Sequence, residues 1–194
     1  MKSPHSFVIT PIGNRYNNTK QVGDKNLIIN TEVFNHQYTN RKAKVLSVPK
    51  IGGSLGINVG DEIIVHHNVF RRWHDVKGIE RNSNSYFNEQ LYVVNKDQIF
   101  LYKQNDEWKA LDGFCFVNPI KDHDDTTLEK EHLTKGIIKY TDGNFNIGDL
   151  VGFTPFSKYE FIVDGEKLYR VYNKFITIKY EYQGDEEVYN PSWA

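Results

Sequence analysis

The sequence contains little cysteine and little alanine, and its apolar runs are short. Its single cysteine, Cys115, cannot form an internal disulfide, which excludes a disulfide-stapled secreted scaffold and favours a reducing compartment. Alanine, the best helix former, occurs only at Ala43, Ala110 and Ala194. The first apolar run ends at Pro11, which makes it too short for a signal-peptide core or a membrane span. We therefore expect a soluble cytoplasmic protein with no membrane partner.

The charge balance argues against one class of function, which is nucleic-acid binding. The 194 residues carry 24 basic and 25 acidic side chains, which gives a net charge of −1. A protein that binds nucleic acid by neutralising phosphates normally has a basic excess, so we expect no nucleic-acid partner. The chain is 39% hydrophobic and 25% charged, which is typical of a globular protein with one large or two small domains.

Short stretches rich in aromatic and β-branched residues recur along the chain, between turns rich in Gly, Asn, Asp and Pro. This pattern predicts an all-β fold. The predicted strands are residues 7–10, 43–48, 62–66, 89–94, 98–103, 114–118, 136–140, 150–154, 159–163, 167–171 and 175–180. Asp164-Gly165 predicts a tight hairpin turn. Thr126 and Glu129 have the spacing of a capping box, so residues 126–133 are either a short helix or a loop.

Four blocks of sequence occur twice in the same order. The pairs are FVITPI (7–12) and CFVNPI (115–120), KVLSV (44–48) and GIIKY (136–140), VGDEIIV (59–65) and IGDLVGF (147–153), and the Leu-to-Ile spacings of 91–99 and 168–176. A duplicated domain explains this order better than chance similarity among β segments.

The repeat predicts two tandem domains. The first spans residues 5–104 and contains a long polar loop at 13–42, and residues 105–110 form a linker. The second spans residues 111–182 and contains a short acidic loop at 121–135, and residues 183–194 form a tail. Because a few short strands must close or sandwich to bury one face, each domain is predicted to be a small β-barrel.

The repeated unit resembles the ten-kilodalton co-chaperonin family, which has the GroES-like fold. In that family a first strand ending in Pro is followed by a long mobile loop, a strand like residues 44–48, a roof hairpin, an apolar-Gly-Asp turn and a closing pair of strands. The ordered set, found twice, extends the resemblance over nearly all of both halves. It implies two tandem GroES-like small β-barrels that assemble into a homo-oligomeric ring.

The same resemblance implies a binding site in the long loop. In the family, an apolar tripeptide of this loop docks on the chaperonin ring, and residues 13–42 hold one such cluster, Leu27, Ile28 and Ile29. We expect it to bind a GroEL-type chaperonin, so that the chain caps the ring and assists ATP-dependent folding of a non-native client protein. The other interpretation of three consecutive aliphatics is a further strand of the barrel. The loop at 121–135 lacks such a triplet, so the second domain is not expected to dock in the same way.

Two further features bear on the source and on a competing hypothesis. Residues 51–58 and 141–146 leave room only for short roofs, in which the chain resembles the T4-type bacteriophage co-chaperonins. An Asn- and Tyr-rich, Ala-poor composition also fits a phage, whose proteins work in the host cytoplasm. The competing hypothesis is a structural or assembly protein, for example of a phage virion, that uses the barrels as rigid modules without binding a chaperonin. An ordered 13–42 segment with a buried triplet would favour it.

Other side chains give weaker signals. His66 and His67 are adjacent in a predicted strand and would point to opposite faces, so we expect no metal site. Cys115 lies in a predicted strand, where a buried thiol is normal, and is not expected to be a nucleophile. The glycine-rich segment 52–56 lacks the spacing of a phosphate-binding loop. We expect no enzymatic activity, no catalytic residue and no cofactor.

A run of aromatic and basic residues at 70–73, with Tyr86 and Phe87, has the composition of a stacking platform for nucleic acid. The preferred interpretation is that these side chains close a barrel end or line a ring interface.

Overall fold

The computed structural model describes residues 3–16, 19–28, 39–122, 131–181 and 184–191. These residues form short strands and three single-turn 3₁₀ helices, which confirms the prediction of an all-β protein. No helix within these ranges is long and apolar enough to cross a membrane. The chain divides into two compact units, Met1–Glu107 and Trp108–Ala194.

The strands follow one another at short intervals in both units. Those that begin in the first unit are β1 (Phe7–Pro11), β2 (Thr19–Val22), β3 (Lys25–Ile28), β4 (Lys42–Ser47), β5 (Glu62–Val65), β6 (Arg72–His74), β7 (Glu80–Asn82), β8 (Tyr86–Asn88), β9 (Leu91–Val94), β10 (Ile99–Gln104) and β11 (Glu107–Ala110). The second unit contains β12 (Phe114–Lys121), β13 (Glu131–Thr141), β14 (Leu150–Phe153), β15 (Tyr159–Val163), β16 (Glu166–Tyr172) and β17 (Ile176–Tyr180).

Each unit is built on one antiparallel sheet, and the two sheets have the same strand order. In the first unit the order is β10-β5-β4-β1-β9-β8, with β11, in which the unit boundary falls, beside β10. In the second unit it is β17-β14-β13-β12-β16-β15. Two small hairpins, β2–β3 and β6–β7, pair only within themselves among the described strands.

The strand registers confirm the sequence repeat and correct one of its alignments. Ile9 pairs with Val45 in the first sheet, and Val117, its counterpart, pairs with Ile138 in the second. Val45 therefore corresponds to Ile138, whereas the sequence blocks aligned it with Ile137. A shift of one residue exchanges the two faces of a strand, and only the pairing register resolves it.

Irregularities of the sheets recur at equivalent places. A bulge falls between Val8 and Ile9 in β1 and between Phe116 and Val117 in β12. The turn before β5 is closed by Asp61, whose carboxylate accepts from the Asn58 backbone N–H at 2.9 Å. The turn before β14 has the same bond, between Asp149 and Asn146, at 3.0 Å. Because bulges and side-chain-closed turns are specific local features, their recurrence indicates duplication of one structural unit.

The two cores consist of equivalent side chains. In the first unit the buried set includes Phe7, Ile9, Val45, Ile63, Tyr92 and Val94. Their partners by register in the second unit, also buried, are Cys115, Val117, Ile138, Val151, Tyr169 and Val171. One face of each sheet is therefore apolar, as alternating strands of this composition require.

The described residues do not form the closed barrels that the sequence analysis expected. The first sheet ends at β8 and β11 and the second at β15 and β17, and neither pair of end strands is joined by a ladder within the described ranges. The structure supports only the coarser part of the prediction, which is that the chain forms two all-β units with antiparallel sheets.

Three local predictions are corrected. Residues 105–110 are not a linker, because Glu107–Ala110 is a strand beside β10 and both turn residues before it, Asn105 and Asp106, have positive φ. The loop predicted at 121–135 is shorter, since β12 continues to Lys121 and β13 begins at Glu131. The helix considered at 126–133 is strand from Glu131 onward, and its earlier residues lie outside the described ranges.

The hairpin predicted at Asp164-Gly165 is confirmed. It joins β15 to β16, with Val163 paired to Glu166, and both turn residues have positive φ, as a type I′ turn requires.

The first unit carries an insertion between β5 and β8 that was not predicted from the sequence. It consists of the 3₁₀ helix His67–Val69 and the β6–β7 hairpin. Asp75 organises the hairpin turn, because its carboxylate accepts from the backbone N–H groups of Lys77 and Ile79 and pairs with Arg81 at 2.8 Å. These bonds, of which that from Ile79 has the largest effect, lower the pKa of Asp75.

Candidate functional site

The β2–β3 hairpin lies between β1 and β4 in the chain and contains part of the predicted binding triplet. Val22 pairs with Lys25 across a two-residue turn, whose first residue, Gly23, has a φ of +60°. This is the position that glycine occupies in a type II′ turn, whose twist suits a two-stranded hairpin. Leu27 pairs with Lys20 near the other end of the hairpin.

Leu27 is exposed to solvent over 51% of its surface, and Val22 over 54%. Their pairing register places both on the same face of the hairpin, diagonal to each other. Ile28 is the last residue of β3, and Ile29 lies outside the described residues. The alternative interpretation, in which the triplet is a further strand of the main sheet, does not hold for its first two residues, because β3 pairs with β2 in a separate sheet.

The segment that carries the hairpin is closed at its base. Tyr16 and Thr39 form an antiparallel bridge, and the Asn40 backbone N–H donates to the Arg15 carbonyl at 2.8 Å. The Asn40 side-chain amide also donates to the Ile12 carbonyl at 2.7 Å. Both ends of the predicted loop, residues 13–42, are therefore ordered, and the bridge between residues 16 and 39 joins them to each other.

Arg15 and Tyr16 fix this base to the body of the first unit. The Arg15 guanidinium donates to the Phe70 carbonyl at 3.2 Å and to the Asn82 side chain at 2.8 Å. The Tyr16 hydroxyl accepts from the Arg72 backbone N–H at 2.8 Å. Several polar bonds therefore converge on Arg15 and Tyr16 and hold the base of the segment against the body of the first unit.

The histidine pair does not lie on a strand, which corrects the reason given for excluding a metal site. β5 ends at Val65, His66 caps the 3₁₀ helix that follows, and His67 is its first residue. The two imidazole rings stack with centroids 4.2 Å apart instead of pointing to opposite faces. No group of three or more His, Cys, Asp or Glu side chains within the described ranges is arranged to hold a metal ion.

The run at 70–73 is divided between the core and the surface, so it forms no continuous stacking platform. Phe70 is fully buried and packs edge-on against Tyr92, with ring centroids 4.7 Å apart. Phe87 is 70% exposed. Arg72 pairs with Glu80 at 3.4 Å.

Cys115 is a buried core residue whose Sγ lies 3.7 Å from the Val171 carbonyl oxygen. Burial raises the pKa of the thiol to about 12. Since the thiolate is the reactive form, we expect native chain to react with a disulfide reagent at pH 8 at least about 100-fold more slowly than chain unfolded in urea. Colorimetric thiol titration under both conditions checks this, and equal rates would contradict it.

A charged cluster in the second unit was not found by sequence reasoning. Glu131 begins β13, and its carboxylate pairs with Lys167 at 2.9 Å and with Lys158 at 3.4 Å. The Tyr169 hydroxyl donates a hydrogen bond to the same carboxylate. Only 15% of the Glu131 side chain and 8% of the Lys167 side chain are exposed. Lys167 and Tyr169 are two residues apart on β16, which places them on one face.

The contacts in this cluster keep the Glu131 carboxylate ionised, and its oxygens are in contact with the partner side chains. Burial alone would raise the pKa of Glu131, but the bonds from Tyr169 and Lys167, with the nearby charge of Lys158, lower it. Both carboxylate oxygens contact a cation or a hydroxyl, so Glu131 is not placed to act as a general base. It joins β13 to β16 and to Lys158, the residue before β15.

No protein-family model matches this chain, and no curated protein matches it either.

Proposed function

We propose that the chain is a co-chaperonin that binds the ring of a GroEL-type chaperonin through the β2–β3 hairpin and the residues after it. The observation that carries the proposal is the exposed Leu27 on a hairpin that is separate from the main sheet and attached through a fixed base. The doubled co-chaperonin-like order of sequence blocks supports it.

An exposed strand with apolar side chains can add to a groove, with its backbone giving affinity and its side chains filling pockets. Burying the exposed half of Leu27 contributes about 1 kcal/mol. One such contact is weak and reversible. If several copies assemble into a ring, their hairpins act together, and linked weak contacts give firm binding. A co-chaperonin needs both weak single contacts and firm combined binding, because a cap must bind the chaperonin during client folding and then leave.

The second unit has a different role in this proposal. Only nine residues, 122–130, separate β12 from β13, and their one aliphatic residue is Leu128. We infer that this unit supports the ring or its contacts and does not dock on the chaperonin itself.

The test is co-sedimentation of the full chain with a purified GroEL-type chaperonin and ATP. The variant carries Leu27→Ser, Ile28→Ser and Ile29→Ser. We expect wild type to bind only with nucleotide and the variant to lose at least about 10-fold in apparent affinity, since each replacement removes apolar burial.

A matched control replaces three exposed aliphatics outside the hairpin, with Ile51→Ser, Val59→Ser and Ile147→Ser. It loses comparable apolar surface and should bind like wild type. If wild type forms oligomers but never binds the chaperonin, the proposal fails, and a structural or assembly role becomes the better explanation. Equal loss in both triple variants would also contradict the assignment of the site.

A further inference from the structure

A polar cavity of about 460 Å³ lies in the insertion that distinguishes the first unit from the second. None of the lining residues that the structure describes belongs to the proposed docking hairpin. Its lining residues are Asn68, Arg71, Trp73, Ser83, Asn84, Ser85 and Gln98. The volume is in the range of small-molecule sites, and the lining contains one aromatic side chain, one cation and five neutral polar side chains.

Arg71 is the lining residue that gives the strongest evidence for a ligand. Its Nε is buried and has no hydrogen-bond partner in the part of the chain that the structure describes. The Nε of Arg72 is also buried without such a partner, but Nη1 of Arg72 pairs with Glu80 at 3.4 Å, and Arg81 pairs with Asp75 at 2.8 Å. A buried guanidinium donor without a partner is costly. Because Arg71 lines the cavity, an oxyanion bound there can pair with its guanidinium, whose fork of donors matches a carboxylate or phosphate.

The rest of the lining indicates what the oxyanion is attached to. No acidic side chain is among the cavity-lining residues that the structure describes. The side-chain amides of Asn68 and Asn84 each supply both donors and acceptors, which suits a ligand with several hydroxyl groups. Trp73 supplies an apolar face of the size of a sugar ring.

One wall of the cavity is held in place by its own bonds. The Gln98 side chain donates to the Ser85 hydroxyl at 3.3 Å and accepts from the Asn95 backbone N–H at 2.9 Å. The Ser83 hydroxyl donates to the Val69 carbonyl at 2.6 Å. Because these groups are fixed before any ligand arrives, binding costs less ordering entropy.

We propose that this cavity binds an anionic monosaccharide, either a sugar phosphate or a sugar acid. Arg71 binds the oxyanion, Trp73 stacks on the sugar ring, and Asn68 and Asn84 bind the hydroxyl groups. No covalent step is involved.

The experiment titrates the full chain with glucose 6-phosphate, glucuronate, glucose, inorganic phosphate and AMP. Binding is followed by tryptophan fluorescence and by amide chemical shifts of residues 83–85. We expect glucose 6-phosphate or glucuronate to bind at least about 10-fold more tightly than glucose, since a charge-assisted pair adds more than 1.4 kcal/mol. Saturation by glucose 6-phosphate alone assigns the phosphate source, and saturation by glucuronate alone assigns the carboxylate source.

The variant Arg71→Gln should lose this preference for anions, because it removes the fork and keeps a polar side chain. Lys77→Gln is the control, since it removes the same charge from the exposed β6–β7 turn and should bind like wild type. The proposal is overturned if no anionic sugar shifts these amides at 10 mM (roughly the weakest affinity worth assigning). It is also overturned if Arg71→Gln binds as well as wild type, or if AMP or inorganic phosphate binds more tightly than both anionic sugars.

Discussion

Replacing Glu131 by Gln is expected to lower the free energy of unfolding of the second unit by about 2 kcal/mol. The substitution keeps the size of the side chain but removes its charge. Lys167, only 8% exposed, then loses the partner 2.9 Å from its Nζ and keeps Glu160 at 3.4 Å, and Lys158 loses its ion pair with Glu131. Removing one partner from a largely buried ion-pair cluster is destabilising, because the remaining charges are compensated less well.

The measurement is urea unfolding of the full chain, with hydrogen exchange of residues 131–141 and 42–47 to separate the two units. Only the segment in the second unit should exchange faster. Glu166→Gln is the matched control. Glu166 pairs with Lys139 at 3.1 Å, but both side chains are well exposed, so we expect a loss below about 1 kcal/mol. A loss of similar size in both variants would contradict the role given to the cluster.

The pH dependence gives a second check on the same cluster. The pKa of Glu131 is lowered in the folded chain, against about 4.3 for an unfolded glutamate. The charged carboxylate therefore adds stability that is fully present above about pH 4.3 and is lost as the pH falls through the folded pKa. The stability difference between wild type and Glu131→Gln should be constant from pH 7 to pH 5 and should shrink below about pH 4. A difference that grows in acid would exclude this explanation.

The all-β class and the repeat could be predicted from the sequence because alternation and turn residues are local signals. The same signals placed the Asp164-Gly165 turn correctly. They did not fix the equivalence of Val45 and Ile138, since a one-residue slip leaves each apolar block intact. That equivalence depends on hydrogen bonds between distant strands.

The charged cluster and the sugar-sized cavity could not be found from the sequence. Glu131 follows a run of acidic residues and looks like part of a solvated loop, and its partners lie 27 and 36 positions further on, at Lys158 and Lys167. Arg71 lies beside Arg72 in an aromatic run, so nothing in the local sequence indicates that Arg72 pairs with Glu80 whereas Arg71 lines the cavity. Both features depend on which side chains the fold brings together, whereas the Leu27–Ile29 triplet is predicted from the repeat and its resemblance to the co-chaperonin family.

Replacing Gly136 by Ala is expected to destabilise the second unit by roughly 2 kcal/mol or more, as overpacking against backbone does. A Cβ at this position would lie 2.7 Å from the Asn118 carbonyl oxygen and 3.0 Å from Val117 Cγ2. The β12 backbone cannot retreat easily, because it is paired on one side with β13 and on the other with β16. Urea unfolding and hydrogen exchange of residues 131–141 measure the loss.

Gly152→Ala is the matched control in the adjacent strand. Its Cβ would lie 3.1 Å from the ring of Tyr180, a half-buried side chain at the end of β17, which can rotate away. Since alanine also reduces the entropy of the unfolded chain, the net change should stay within about 1 kcal/mol. The register makes Ala43 the counterpart of Gly136, so the repeat taken alone predicts that alanine is tolerated there. A neutral Gly136→Ala would favour that prediction and show that β12 can move, whereas a large loss would show that the second unit needs glycine where the first accepts a side chain.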